Sequence, residues 1–155
     1  GGRAVLLQTK YFGQVDCPED QILHFPRGLF GFEEEKAFCL LPFEGSGGSL
    51  LCFQSAATPA LAFVAMDPFM LSPDYAPVLT AEELRELGVE RSEELCFYTL
   101  CVVRNPASES TVNLRCPVAI NDRTRQAVQV ILEEGRYQMH HLLSEFAGRK
   151  EGGPC

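Results

Sequence analysis

Short apolar segments separated by turn-forming residues are the feature of this sequence that most restricts its fold. The segments are rich in aromatic and β-branched residues, and proline, glycine, asparagine or serine stands between them, which is typical of β-strands. About nine such segments follow one another: the residues around Val15, then 21–25, 37–41, 50–54, 61–66, 95–103, 111–114, 118–120 and 127–132. The pattern predicts a mainly β protein.

Turn chemistry supports these strand boundaries. Pro26 and Pro42 restrict the residue before them and so end two strands, while the Gly-Ser connector at 45–49 favours a hairpin loop. The segment 61–66 is apolar throughout, which predicts a central strand covered on both faces. We expect a small antiparallel β-barrel-like single domain with one or two short helices.

One helix is predicted within the β pattern. Thr80 and Glu83 have the spacing of a capping box, Leu84 and Leu87 supply an apolar stripe, and Gly88 is placed to end the helix in a left-handed conformation. A second helix is predicted at 137–146 from apolar residues at helical spacing. The expected division is a flexible N-terminus or expression remnant at 1–8, the domain at 9–146 and a flexible tail at 147–155.

Composition excludes several classes of function. The chain has 155 residues, ordinary single-domain size, and its net charge of -8 would repel a nucleic acid backbone. The seven cysteines are odd in number and mostly lie in apolar runs, so we expect small buried hydrophobes and no disulfide framework or metal site. Neither a membrane span nor a signal peptide is evident, which together with the cysteines predicts a soluble cytoplasmic protein.

No catalytic constellation is apparent. Nucleophilic catalysis needs a base beside a nucleophile, but His24 lies in a strand-like run, and the adjacent His140 and His141 diverge. The glycines at 45–48 lack the spacing of a phosphate or dinucleotide loop. Asp67 and Asp74 could form an acid/base pair, although Asp-Pro is more often a turn whose carboxylate accepts backbone amides. We expect no enzyme activity and no cofactor.

A series of short motifs, in order, resembles one family. They are Thr9-Lys10-Tyr11-Phe12-Gly13, Phe25-Pro26-Arg27-Gly28-Leu29-Phe30-Gly31-Phe32-Glu33, Leu40-Leu41-Pro42, Phe53-Gln54-Ser55, Leu61-Ala62-Phe63-Val64, Asp67-Pro68-Phe69, Pro73-Asp74-Tyr75, Thr111-Val112-Asn113-Leu114, Pro117-Val118-Ala119-Ile120-Asn121 and Gln129-Val130-Ile131-Leu132. The series resembles the flagellar assembly factor FliW family over about residues 9–145. Many ordered motifs are far more specific than any single one. The resemblance implies a small cytoplasmic barrel without enzymatic activity.

The resemblance also implies two protein partners. Members of the family bind flagellin and the carbon storage regulator CsrA, an RNA-binding repressor of flagellin translation, and exchange them as flagellin is exported. The acidic balance suits a partner that presents basic surface to RNA. Antagonism could be RNA mimicry or an allosteric effect; the resemblance favours the allosteric mechanism. We expect a monomer when free, with no direct binding to nucleic acid or membrane.

We hypothesise that the partner-contact surface is the segment 67–75. Phe69 and Tyr75 would be aromatic anchors, Asp67 and Asp74 polar orienting groups beside Pro68. Asn113 and Asn121 are further candidates, although an amide at a strand end more often caps a neighbouring backbone. Alternatively, both rings plug the barrel end. The competing functions are a small-molecule-binding barrel and a structural chaperone for flagellin without a regulatory role.

Overall fold

Seven strands close into a barrel within residues 3–146, the part of the chain that this computed structural model describes. The elements are β1 Ala4–Gln8, β2 Gln14–Pro18, β3 Ile22–His24, β4 Ala37–Pro42, β5 Leu50–Ser55, β6 Ala62–Met66, α1 Pro68–Leu71, α2 Ala81–Glu86, β7 Cys96–Val102, β8 Thr111–Val112, β9 Val118–Asn121, β10 Gln126–Gln129 and β11 His141–Leu142. Helices are few and short. The mainly β fold predicted from the sequence is therefore confirmed.

The barrel runs in the order β7-β6-β5-β4-β3-β10-β9, and it closes because β7 also pairs with β9. Every neighbouring pair is antiparallel except β3 and β10, which are parallel and meet at His24 and Gln126. Beyond this ring, β8 and β11 extend the sheet past the second half of β7. The Gly-Ser connector is the loop of the β4–β5 hairpin, as predicted.

Large side chains fill the barrel interior. Inward residues from all seven strands and the adjoining loops pack into one cluster, in which Phe25, Phe38 and Phe53 are completely buried. Their rings meet edge to face at centroid distances of 5.2 to 6.4 Å. A barrel of this strand number has room for side chains and little else.

A second core lies outside the barrel and positions the candidate site. The outer faces of β7, β9 and β10 pack against the segment that contains α1 and α2 and against the chain around Tyr137. Strand β7 serves both cores, because Phe97 points outward while Tyr98 and Leu100 point inward. This alternation places Cys96 and Cys101 on opposite faces, as the sequence predicts.

A third core joins the β1–β2 hairpin to the barrel, which corrects two predictions. Ala4–Gln8 is a strand, not part of a flexible N-terminus, because its alternation buries Leu7 beneath the hairpin. In the same core Cys17 and Cys39 are joined as a disulfide, whereas we expected separate buried thiols. Cys96 is also exposed, although Cys52 and Cys116 are buried as expected. The tail predicted at 147–155 lies outside the described residues.

Two further details differ from the sequence predictions. Residues 137–146 contain β11 and a 3-10 turn at Leu143–Phe146 where we predicted a second helix, because β11 pairs with β8 and leaves Leu142 exposed. Strand β6 is a ring member, but only Ala65 is fully buried, so its outer face is partly open. Of the helices between residues 3 and 146, none is long and apolar enough to cross a membrane.

Candidate partner-binding groove beside helix α2

An open groove of about 640 Å³ lies on the outer core, between α1, α2 and the start of β7. Its floor and walls are mainly apolar, and the polar residues Arg91, Ser92 and Glu93 lie along one side. Val78 is 75% exposed at the groove, and Phe69 is 40% exposed. We call this cavity the α2 groove; the apolar residues used below are Phe69, Tyr75, Val78, Leu84, Leu95 and Phe97.

Helix α1 fixes the position of Phe69. The Asp67 carboxylate accepts a hydrogen bond from the Phe69 backbone N–H at 2.9 Å, and Pro68 occupies the first turn, where its lack of an N–H carries no cost. The Phe69 ring then packs edge to face on Tyr75 at 5.7 Å and on Phe97 at 6.4 Å. Asp67 therefore has the structural role that an Asp-Pro turn suggests, and Pro68 itself is buried.

Tyr75 lies beneath the groove and supports it. Its side chain is 4% exposed, its hydroxyl donates to the Leu114 carbonyl oxygen at 2.7 Å, and its ring packs at a tilt against that of Tyr137, with the centroids 4.7 Å apart. Burial, and secondarily Tyr137 and Cys116, raise the pKa of the Tyr75 phenol above its ordinary value. The phenol therefore stays a protonated donor, and Phe69 is the ring that is open to a partner.

The remaining candidate residues hold the backbone in place. Asp74 accepts from the Ser72 hydroxyl at 2.9 Å. The Asn113 side-chain oxygen accepts from the backbone N–H of Cys116 at 2.9 Å. Asn121 is 3% exposed and donates to the carbonyl oxygen of Leu87, at the end of α2, at 2.8 Å. Asn121 thereby ties α2 to β9 and keeps one wall of the groove in position.

Helix α2 itself begins and ends as its sequence predicts. The Thr80 hydroxyl accepts from the Glu83 N–H at 3.2 Å, while Glu83 accepts from the Thr80 N–H at 2.8 Å. Gly88 follows the helix with a φ of +73°. Leu87 is buried beneath the helix, and Leu84 faces the groove.

Sequence reasoning missed two contributors to this surface. Val78 and Leu95 were not among the predicted site residues, yet both line the groove, and Val78 is the most exposed of its apolar side chains. Val78 stands between Pro77 and the capping box that starts at Thr80. Val78 therefore lies in neither a strand nor the helix. An apolar residue in such a position could have been recognised from the sequence as a candidate for exposure.

Two other cavities are weaker candidates for a binding site than the α2 groove. One of about 610 Å³ is polar and lies between the loop before β3 and the β9–β10 turn, and one of about 470 Å³ is bounded by Tyr11, Phe43 and Val103. Between residues 3 and 146, no three His, Cys, Asp or Glu side chains form a group that could hold a metal ion. Each of these cavities opens on the outer surface, and the barrel interior is packed.

Comparisons with known proteins agree with the fold. The model of the FliW protein family matches residues 6–143. The flagellar assembly factor FliW of Heliobacterium modesticaldum is 36% identical over 152 residues, which cover 95% of this chain and 99% of that protein. Its counterpart in Thermotoga neapolitana is 38% identical over 145 residues, covering 90% of this chain and 94% of the relative.

A solved structure is similar as well. A crystal structure of the flagellar assembly factor FliW aligns with a TM-score of 0.82 and 36% identity, over 89% of this chain and 96% of that one. The family match spans the barrel, both helices and the α2 groove. This chain therefore belongs to the FliW family of flagellar assembly factors.

Proposed function

We propose that this protein binds flagellin and antagonises a CsrA-type RNA-binding translational regulator, exchanging the two partners so that flagellin synthesis follows export. It works by binding in the cytoplasm, without catalysing a reaction. The observation that carries the proposal is the α2 groove, an apolar and partly exposed surface on a member of a flagellar assembly family. Exposed apolar surface of this kind marks sites of protein interaction.

Flagellin is the partner that suits the groove. A filament subunit buries apolar surface when it assembles, so an unassembled subunit must expose that surface or have it covered. Phe69 offers a ring that is already ordered by its N-cap and by Tyr75, so little side-chain entropy would be lost on binding. An amphipathic helix with apolar residues on one face is the expected ligand.

The regulator suits a charged surface. A protein that binds RNA presents lysine and arginine, and the net charge of -8 would accelerate its encounter with this chain. Our proposal is allosteric antagonism, in which this protein binds away from the RNA surface and lowers RNA affinity through coupling. Under RNA mimicry, labelled RNA and this protein would never share one regulator; under allostery a ternary complex forms, with RNA dissociating faster.

Calorimetric titration with the source organism's regulator, repeated after preloading with its flagellin, tests the proposal. We expect binding to each partner, with flagellin abolishing the binding of the regulator. Flagellin binding without any binding of the regulator would indicate a structural chaperone. Binding to neither would refute the proposal and leave a small-molecule ligand, for which the packed barrel interior offers no support.

Phe69→Ala tests the groove directly. Flagellin affinity should fall at least tenfold because a central aromatic contact is lost, while the melting temperature should fall only modestly, because the ring is 40% exposed and gives up only its contacts with Tyr75 and Phe97. Met139→Ala is the matched control, since Met139 is 45% exposed and lies outside the groove. A large fall in melting temperature with unchanged affinity would assign Phe69 to the core instead.

A further inference from the structure

A second apolar surface lies on the other side of α2. Phe30 is 49% exposed and Phe32 is 41% exposed, and both belong to the loop between β3 and β4. We call residues 27–34 the aromatic loop. Two neighbouring phenyl rings held open to solvent are unusual, because each would be more stable buried.

The aromatic loop is held by many internal contacts. Leu29 is 1% exposed and plugs the barrel interior, while the backbones of Leu29 and Phe32 form an isolated β-bridge. The Phe30 N–H donates to the Gln129 side chain at 2.9 Å, and the Phe32 ring packs on Phe63 at 5.1 Å. The exposed rings are therefore presented on an ordered turn, which lowers the entropic cost of binding.

Gly28 explains why the turn has one conformation. Its φ is +67°, and a Cβ at this position would lie 2.5 Å from the Phe32 carbonyl oxygen. Only glycine permits both that backbone geometry and that close approach. The sequence thus commits the loop to the shape that exposes Phe30.

Negative charge surrounds the aromatic loop. Glu33 and Glu34 are exposed on the loop itself, and Arg27 forms a bidentate pair with Glu86 of α2. The pKa of Arg27 is raised above its ordinary value first by its hydrogen bond to Glu86 and also by the charges of Glu83 and Glu82. Lys36, two residues beyond the loop, also folds back, and its Nζ donates to the Pro26 carbonyl oxygen at 2.9 Å. Against the two cations Arg27 and Lys36 stand the carboxylates of Glu33, Glu34, Glu82, Glu83 and Glu86, so the summed charge of these described residues is negative and favours a basic ligand.

The geometry points to the aromatic loop as the docking surface for the basic RNA-binding regulator. This assignment rests on the proposed function, which supplies the identity of the partner. Phe30 would cover an apolar patch, and Glu33 and Glu34 would face lysine or arginine side chains that lie outside the RNA-contacting surface, as allosteric antagonism requires. Complementary charge around an apolar centre is the usual arrangement of such interfaces.

Helix α2 lies between the two surfaces and explains why the partners exclude each other. Leu84 faces the α2 groove, while Glu86 holds Arg27 of the aromatic loop. The nearest parts of the two surfaces, Leu84 in the groove and Arg27 of the loop, therefore meet the same helix, whose width is ~10 Å. An ordinary interface covers about 800 Å² on each protein, a patch with a radius of roughly 16 Å. Flagellin in the groove would therefore overlap a regulator on the loop, without any change of conformation.

Matched variants in titrations against each partner test the assignment. Phe30→Ala should weaken binding of the regulator at least tenfold and leave flagellin affinity within about twofold, with Phe69→Ala showing the reverse. Met139→Ala should change neither. If the unmodified protein binds the regulator and Phe30→Ala binds it equally well, the assignment is overturned while the proposed function stands. If the unmodified protein does not bind the regulator, both are overturned.

If Phe30→Ala does not fold, a variant that removes charge from the aromatic loop tests the same assignment. Glu33→Gln/Glu34→Gln removes two exposed charges and keeps a side-chain acceptor for the Gly31 N–H. Its association rate constant with the regulator should fall severalfold at low salt. Glu44→Gln/Glu109→Gln removes the same charge from exposed positions outside the aromatic loop and α2 and should have little effect. Equal rate constants for the two double variants would overturn the assignment.

The molar mass of the complexes tests whether the two binding surfaces overlap. With the regulator and flagellin both in excess, light scattering after size exclusion should find this protein bound to one partner or the other, but not to both. A stable complex that contains all three chains would overturn the exclusion mechanism.

Discussion

At the scale of single residues, a hydrogen bond from the Tyr75 hydroxyl holds the floor of the α2 groove in place. It reaches the buried Leu114 carbonyl oxygen, and removing it would leave that oxygen without its partner. We predict that Tyr75→Phe lowers the free energy of unfolding by about 1–3 kcal/mol, measured by urea denaturation, with flagellin affinity within about twofold. Lost affinity at unchanged stability would mean instead that Tyr75 touches the partner.

Cys52 gives a prediction of pH dependence. It is completely buried, and burial raises the pKa of its thiol from 9.0 to about 11, opposed by Lys10. In the unfolded chain the thiol ionises near its ordinary value, so the folded state loses stability as the pH rises above 9 toward 11. Denaturation in reducing buffer between pH 7 and 11 should show this decline, smaller in Cys52→Ala. An identical decline in both would assign it to Tyr75 and other groups.

The identities of single residues were enough to predict some of their roles in the site. Asp67 was expected to accept backbone amides in an Asp-Pro turn, and it does, because its carboxylate caps α1. Burial was harder to foresee. Tyr75 and Phe69 are both aromatic beside proline-rich turns, but Tyr137, distant in sequence, covers one and leaves the other open.

At the scale of elements, the capping box links helix stability to the groove. We predict that Thr80→Ala lowers the free energy of unfolding by about 1 kcal/mol. It should also weaken flagellin binding, because Leu84 would be held less firmly. Thr80→Ser keeps the hydroxyl and should restore both in denaturation and titration experiments. Weakened binding in the serine variant as well would point to the Thr80 methyl group and not to the cap.

The β1–β2 hairpin provides a second prediction at this scale. Its disulfide joins Cys17 to Cys39 on β4, and the pair is 22 residues apart in sequence. Closing a loop of that length stabilises a fold by about 3 kcal/mol through the unfolded state. Reduction should therefore lower the melting temperature, whereas Cys17→Ser/Cys39→Ser should melt low and not respond to reductant. Thiol titration in denaturant should find two more thiols after reduction; an unchanged count would contradict the pairing.

Elements whose signals lie within one segment could be predicted from the sequence. Elements that depend on pairing between distant segments could not. The cap at Thr80 and Gly88 lies within one segment, so α2 was predictable. The helical spacing at 137–146 is also local, but pairing of His141 with Val112 overrides it. The disulfide depends on the hairpin lying against β4, with Cys17 and Cys39 Cα atoms 6.8 Å apart, and spacing alone carries no such information.

At the scale of the whole molecule, the barrel brings the two proposed partner surfaces together from distant parts of the chain. The aromatic loop follows β3, while the groove lies on the outer faces of strands that come later in sequence. Barrel closure through the β7–β9 pair, and Asn121 bonding to Leu87, place α2 between them. The barrel class could be predicted from strand spacing, but this proximity depends on the strand order.

The net charge of the molecule predicts how salt should affect the rate of association with the regulator. With a charge of -8, attraction to a basic regulator acts over about a Debye length, which shortens from ~10 Å at 0.1 M salt to ~3 Å at 1 M. The association rate constant should fall about tenfold across that range, measured by stopped flow. Flagellin association, which we propose to depend on apolar contact in the groove, should respond much less. If the dissociation rate constant alone changes with salt, the carboxylates act within the docked interface and not in steering, and a short-range ion pair with Glu33 or Glu34 becomes the better account.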